Sequence, residues 1–184
     1  MVTREKSYTV EEFWEVAALP ENEDRRLELE DGLIVEMGSS SPINTVTAGR
    51  ILYFYNAFVI PRNLGYVTGA DGGYKLAAKR SRLPDVGFIS KARVPQLPKR
   101  FDMPPDLAVE VVSEDEDIFK KAREYLLAGT KLVWAVYADE RIVHVMRLDE
   151  DGGLRSLPYG VNSTLDGEDI LPGFSLSVRD IFPE

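Results

Sequence analysis

The sequence predicts an α/β (α+β) fold, a mixed β-sheet core flanked by helices, with residues 1–184 forming one domain. Three observations predict it. Apolar runs rich in β-branched residues (PDVGFIS, DLAVEVVS, KLVWAVY and RIVHVMR) have the length and composition of buried strands. Segments with helical periodicity and their own start signals alternate with these runs. No internal repeat, linker or low-complexity tract divides the chain, and its length can bury one core without staples.

Thr9 and Glu12 form a capping-box pattern that starts a short helix through Phe13, Val16 and Ala17. LELEDGLIVEM then reads as a hairpin, with Asp31-Gly32 supplying the two positive-φ positions of a tight turn. Glu28 is opposite in parity to Leu27 and Leu29, so it occupies the other face of the first strand. Ser41-Pro42 is an N-cap followed by a first-turn proline. It opens a long apolar helix through Val46, Ile51, Leu52, Tyr55, Phe58 and Val59 that ends near Pro61. The glycine-rich stretch Gly65 to Leu76 lacks the Lys-Ser/Thr ending of a phosphate loop and the order of a dinucleotide fingerprint, and reads as turns flanking a strand.

A strand beginning at Pro84-Asp85 follows, then a proline-rich loop from Val94 to Pro105, then the strand holding Glu110. Ser113 and Glu116 form a second capping-box pattern for the next helix, and the acidic run Glu114 to Asp117 suits its positive end. Gly129 is the expected stop. At about 100° per residue, Ile118, Phe119, Ala122, Tyr125 and Leu126 share one apolar face. Lys120 projects nearly opposite to that face, while Lys121 falls on its margin. KLVWAVY and RIVHVMR read as a strand pair joined through Ala138-Asp139-Glu140. The only histidine, His144, lies in the second strand and is read as structural. LPGFSLSVRDIF reads as a last strand and a docking segment.

Composition is that of an ordinary globular chain, 44% hydrophobic and 29% charged. The absence of cysteine excludes disulfides, thiolate zinc sites and cysteine nucleophiles, and fits a reducing compartment. MVTREKSYTVEEF has no apolar core of signal-peptide length, and no run approaches a membrane span. A soluble, cytoplasmic protein without membrane association is expected. The net charge of −9 argues at first against nucleic acid. From Lys75 to Arg100, however, eight basic residues surround Asp85 as the only acid, so that segment carries +7 against −16 for the remainder. Local field decides whether a phosphate backbone is attracted. Both readings of the segment stay open: a surface for nucleic acid, with Lys75 and Arg82 as candidate phosphate contacts, or a solvated hairpin.

The chemistry centres on Pro84 to Lys121. A carboxylate inside an apolar strand costs several kcal/mol unless it is paired, protonated or bound to a metal. Asp85 and Glu110 on neighbouring strands suit a hard cation with oxygen ligands, magnesium above all, with manganese as a substitute. Such an ion polarises a phosphoryl oxygen and activates water, and a nearby lysine stabilises the charge that develops. Helical phase selects Lys121 for that position. Paired carboxylates also serve glycosidases, which need neither the lysine nor the basic segment.

Asp85, Glu110 and a following lysine resemble the PD-(D/E)xK nuclease core, in which the lysine stands two residues after the second acid; here that position is Val112. With the lysine displaced to the helix, the chain resembles the Uma2-like family of restriction endonucleases, also known as DUF820. LELEDGLIVEM, SSSPINTVTAGRIL, RLPDVGFIS, PPDLAVEVVSEDED, DIFKKAREYLLAGTKLVWAVY and LPGFSLSVRDIF carry the resemblance, in that order, over almost the whole chain. It implies a restriction-endonuclease-like fold in which Asp85 and Glu110 bind the metal, with the Val111 backbone carbonyl as a further candidate ligand. Lys121 matches the displaced lysine by its spacing from Asp117 and Tyr125. Glu28 matches a first-strand glutamate that binds metal directly or through water. Asn44 stands where the family usually has histidine, and is a candidate phosphate contact.

The resulting expectation is a magnesium-dependent endonuclease acting on duplex DNA as a homodimer. The alternatives are a catalytically inactive nucleic-acid-binding or protein-interaction module on the same fold, or a carboxylate-pair hydrolase with another substrate.

Overall fold

The computed structural model describes residues 6–114 and 116–184. Helix α1 (Val10–Ala17) opens on the expected capping box: Thr9 Oγ1 accepts from the Glu12 amide, and the Glu12 carboxylate accepts from the Thr9 amide. Strands β1 (Leu27–Glu30) and β2 (Leu33–Glu36) form the hairpin, and Asp31 and Gly32 close its turn with φ of 50° and 87°. Leu27 and Leu29 pack with Val10 and Phe13 of α1, so strand alternation turns Glu28 to the opposite face.

Helix α2 (Pro42–Arg62) is capped by Ser41 Oγ and ends at Asn63 in the left-handed region. Thr47, Ile51, Tyr55 and Val59 form its buried side, while Val46 of the same apolar pattern is exposed. The segment expected as turns around one strand instead supplies two, β3 (Gly65–Thr68) and β4 (Tyr74–Ala77), each in a different sheet. β5 (Arg80–Arg82), β6 (Val86–Ser90) and β7 (Leu107–Val111) follow.

Helix α3 (Ile118–Ala128) begins later than the Ser113 pattern implies. Its N-cap is Asp117, whose carboxylate accepts from the Lys120 amide at 3.0 Å. Glu116, expected to complete the capping box, accepts from the Ser113 amide through Oε2 at 3.5 Å and from Lys121 through Oε1 at 2.8 Å. Asp115, within the expected acidic run, lies outside the described residues. Gly129 ends the helix at φ 112°. The buried side of α3 is rotated relative to the apolar wheel: Phe119 is 49% exposed, whereas Lys121 and Glu124 are buried. β8 (Leu132–Tyr137), β9 (Ile142–Leu148), β10 (Leu154–Tyr159), β11 (Thr164–Gly167), β12 (Leu171–Ser177) and α4 (Val178–Ile181) complete the chain.

Among the described residues, six strands form the main sheet in the order β10-β9-β8-β7-β6-β3. All neighbours are antiparallel except β7 and β8, whose parallel pairing requires a crossover, supplied by α3. A smaller antiparallel sheet has the order β2-β1-β5-β4, and β11 pairs with β12. The main sheet is covered on both faces. Val109 and Val111 point into a core with α2, β12 and α4, and Ala108 points into a second core with α3 and Tyr74 of β4. By the same alternation Glu110 lies on the α3 face. Among the described residues no helix is long and apolar enough to cross a membrane. His144 lies within hydrogen-bond distance of Ser156 Oγ on the neighbouring strand, at 2.9 Å.

Candidate active site

Glu28 leaves the small sheet, Glu110 leaves the main sheet, and both point toward α3. A cavity of about 470 Å³ opens where these elements meet, lined by Glu28, Arg82, Asp85, Glu110, Val111 and Lys121 among others. The site therefore rests on three parities: the two strand alternations and the rotated face of α3.

Glu110 is 2% exposed, and both its oxygens are occupied. Oε2 accepts from Lys121 Nζ at 2.8 Å, and Oε1 accepts from the Tyr125 hydroxyl at 2.7 Å. Lys121 and Tyr125 are one helical turn apart on the same side of α3, so a single helix face presents both donors. Burial pushes the Glu110 carboxyl up to about 8, against the pull of Lys121. Burial acts to lower Lys121, but the carboxylates of Glu110, Glu28 and Glu116 outweigh it and hold the ammonium above its ordinary value.

Asp85 stands just ahead of β6. Its Oδ2 accepts from the Val111 amide at 2.8 Å. The register Val86↔Val109, continued by two pairs, sets Asp85 opposite Glu110 and Pro84 opposite Val111. Proline has no N–H to give a facing carbonyl, and the N–H and C=O of one strand residue point the same way. The Val111 carbonyl accordingly faces the Asp85 side. Burial raises the Asp85 carboxyl, while the Val111 N–H, Lys121 and Arg26 work in the opposite direction. The structure thus brings Asp85, Glu110, Val111 and Lys121 together at one wall of the cavity.

Other expected residues have different surroundings. Glu28 is 1% exposed; its Oε2 accepts from Arg82 at 2.7 Å, and its Oε1 accepts from the Leu83 amide at 2.8 Å. Among the described residues no group of three or more histidine, cysteine, aspartate or glutamate side chains is arranged to hold a metal ion. Glu28 does not join Asp85 and Glu110 in such a cluster; it is anchored to the β5–β6 connection. Arg82, expected as a phosphate contact, is buried between Glu28 and Glu124, with Glu30 at 3.4 Å. Lys75 pairs with Glu11 on α1. Arg80 pairs with Asp31, and Arg93 with Asp106 at 3.0 Å. Carboxylates from distant parts of the chain therefore offset much of the basic segment. Of the two readings of that segment, the pairing of Lys75 and Arg82 favours the solvated hairpin over a surface for nucleic acid. Asn44, buried in the first turn of α2, donates to the Val112 carbonyl at 3.3 Å and lines a neighbouring cavity of about 270 Å³.

Two residues were missed by sequence reasoning. Tyr125 reads as part of the apolar face and as a spacing mark for Lys121, but its hydroxyl serves Glu110, and its position four residues after Lys121 is the available signal. Arg26 shares the parity of Glu28 and Glu30 and lines the same cavity.

A mixed sheet with an aspartate ahead of one strand, a glutamate inside the next and a lysine bonded to that glutamate has the plan of the PD-(D/E)xK nuclease core, its lysine supplied by the helix. The family model described as "Putative restriction endonuclease" matches residues 10–179, and the chain belongs to that family, Uma2. Among solved structures, it resembles a "putative nuclease belonging to DUF820 from Anabaena variabilis ATCC 29413" with a TM-score of 0.79. That match has 21% identity and covers 95% of this chain and 97% of the other; at such identity it carries the fold alone. No curated protein matches the chain.

Proposed function

We propose that this protein is a metal-dependent endonuclease that hydrolyses DNA phosphodiester bonds. The observation that carries the reading is the buried Glu110, held between Lys121 and Tyr125 within one cavity wall of Asp85. Two carboxylates and one main-chain carbonyl are hard oxygen donors, and a divalent ion such as magnesium takes one or two carboxylates and keeps several waters. The high Glu110 carboxyl fits the same reading, because a cation beside it would restore its charge. Asp85, Glu110 and the Val111 carbonyl would hold the ion; manganese has the same preference for oxygen.

When bound, the ion supplies Lewis-acid polarisation of the phosphoryl oxygen and a water of lowered pKa. The protein's own groups do the rest. The Val111 amide fixes one Asp85 oxygen and leaves the other to face the cavity. Tyr125 and Lys121 fix the Glu110 carboxylate from opposite ends. A lysine ammonium has three N–H donors; Glu110 and Glu116 take two here, and the third is available to a phosphate oxygen or an attacking water. Charge developing on the phosphate would fall beside an ammonium already oriented for it. Glu28 supports the site by holding Arg82 and the Leu83 amide. Asn44 retains a second amide N–H for a phosphate in the adjoining cavity.

Two-strand cleavage calls for two sites, so we read the working form as a symmetric homodimer; a monomer in light scattering would count against that. The location expected for this activity is the cytoplasm, where a chain without cysteine has no disulfide to lose. One observation favours a second reading, an inactive nucleic-acid-binding or interaction module: Asp85 and Glu110 already have hydrogen-bond partners in the protein. Incubating a supercoiled plasmid with the protein, with and without magnesium, separates the two. Magnesium-dependent nicking that disappears in Asp85→Ala and Lys121→Ala supports the nuclease. Nicking that survives both substitutions excludes these residues, and its absence in the wild type favours the module.

A further inference from the structure

We infer that Arg26 is the residue that takes a backbone phosphate of the nucleic acid next to the cleaved bond; this rests on the nuclease reading above. The cavity that holds Asp85 and Glu110 is rich in acid. Seven carboxylate side chains line it, against Arg26, Arg82, Lys120 and Lys121. Such a surface repels a polyanion unless specific cations face it.

Three of the four cations are taken. Arg82 is buried between Glu28 and Glu124, Lys121 donates to Glu110 and Glu116, and Lys120 pairs with Glu30. Arg26 differs. Its only carboxylate within ion-pair distance among the described residues is Asp71, which is 90% exposed and 3.6 Å from Nε, beyond hydrogen-bond distance. Its Nη2 donates to the Ala70 carbonyl at 3.2 Å, and its buried Nε has no hydrogen-bond partner. A guanidinium has five N–H donors in a fixed fork suited to phosphate. Most of that fork is therefore available, on a side chain that is still partly open to solvent.

Position supports the same assignment. The Arg26 carbonyl accepts from the Met37 amide and extends the β1–β2 ladder by one residue, so Arg26 stands on the face of Glu28 and Glu30. It lines the 470 Å³ cavity of the acids, the 270 Å³ cavity of Asn44 and a third cavity of about 630 Å³ bounded by Trp14 and Arg100. A strand that enters the site and continues into either neighbouring cavity passes this guanidinium.

The test is binding of a short fluorescein-labelled DNA duplex, followed by anisotropy. Calcium replaces magnesium as an oxygen-liganded ion so that the probe stays intact. Arg26→Ala should weaken binding roughly tenfold at low salt and make the slope of log K against log salt shallower by about 0.9, the signature of one lost phosphate contact. Arg26→Lys keeps the charge and should keep most of the slope while losing the fork. Arg26→Gln, which keeps the stem and an amide donor but removes the charge, should show the same shallower slope, and it decides the matter if Arg26→Ala does not fold. Magnesium affinity without DNA should not fall in Arg26→Ala. An unchanged slope and affinity in Arg26→Ala, or in Arg26→Gln if the alanine variant does not fold, overturns the assignment of Arg26 while leaving the nuclease reading intact. A wild-type protein that does not bind the duplex at all overturns both.

Discussion

Glu110→Gln should flatten the pH dependence of the metal-free protein's stability even as it removes function. The Glu110 carboxyl sits at about 8, against an ordinary value of 4.5, because burial opposes its charged form. The folded state then binds a proton that the unfolded chain releases, so this group's contribution to stability is fully present below about pH 4.5 and is lost as pH rises toward 8. Each unit of pKa difference corresponds to about 1.36 kcal/mol. Between pH 5.5 and 8.0 the linkage integrates to a loss of about 3 kcal/mol. With 2% exposure, solvent screening does little to reduce it. Lys121 and Arg82, both raised, stay protonated throughout and contribute no slope. Urea unfolding with chelator at the two pH values measures the effect. Wild type should lose about 3 kcal/mol on going to the higher pH, and Glu110→Gln should lose much less. Magnesium should flatten the wild-type slope, since a ligand that binds the ionised, folded form stabilises it most where that form is charged. A wild type as stable at pH 8.0 as at 5.5, or a Glu110→Gln variant with the same slope, would refute the assignment of a buried, reluctant carboxyl.

Other consequences follow from the same contacts. Arg82→Met leaves the buried Glu28 without its cation and Glu124 with only Arg80, at 3.5 Å, and should cost about 3–5 kcal/mol in urea unfolding. Tyr125→Phe removes the hydroxyl that holds Glu110 Oε1; it should weaken magnesium binding severalfold in calorimetry and leave the circular dichroism of the fold unchanged. Lys121→Met should lower the single-turnover cleavage rate by about 10²–10³-fold, the usual effect of one lost charge-stabilising donor. Gly65→Ala would bring a methyl carbon to 2.1 Å from the Ile89 carbonyl oxygen and should lower the melting temperature sharply, because backbone rather than a flexible side chain must move.

Much of the site was legible because it depends on local periodicity. Strand alternation places Glu110 opposite Val109 and Val111, and helical phase separates Lys121 from Lys120; the structure has both arrangements. The Asp31-Gly32 turn and the Thr9 and Ser41 caps were legible for the same reason, since each motif lies within four residues. The partners of the basic segment were not. Glu11 lies 64 residues from Lys75, and Glu28 and Glu124 lie 54 and 42 residues from Arg82. Nothing local marks such pairs, and charge counted along a segment cannot reveal that the fold has offset it. The start of α3 is not legible because Ser113, Glu116 and Asp117 can all serve as acceptors near a helix start, and Asp117 is the one that caps it. The edge strands β10 and β11 are half polar and carry little periodic signal.

The central claim is that Asp85 and Glu110 together hold one divalent ion. Isothermal titration of magnesium, repeated with manganese, into wild type, Asp85→Asn and Glu110→Gln tests it without DNA or turnover. The expected result is a single site in the wild type, tighter at pH 8 than at pH 6 because the ion must displace the proton of Glu110, and loss of that site in either variant. Equal binding in all three proteins, or none in the wild type at the higher pH, would contradict it.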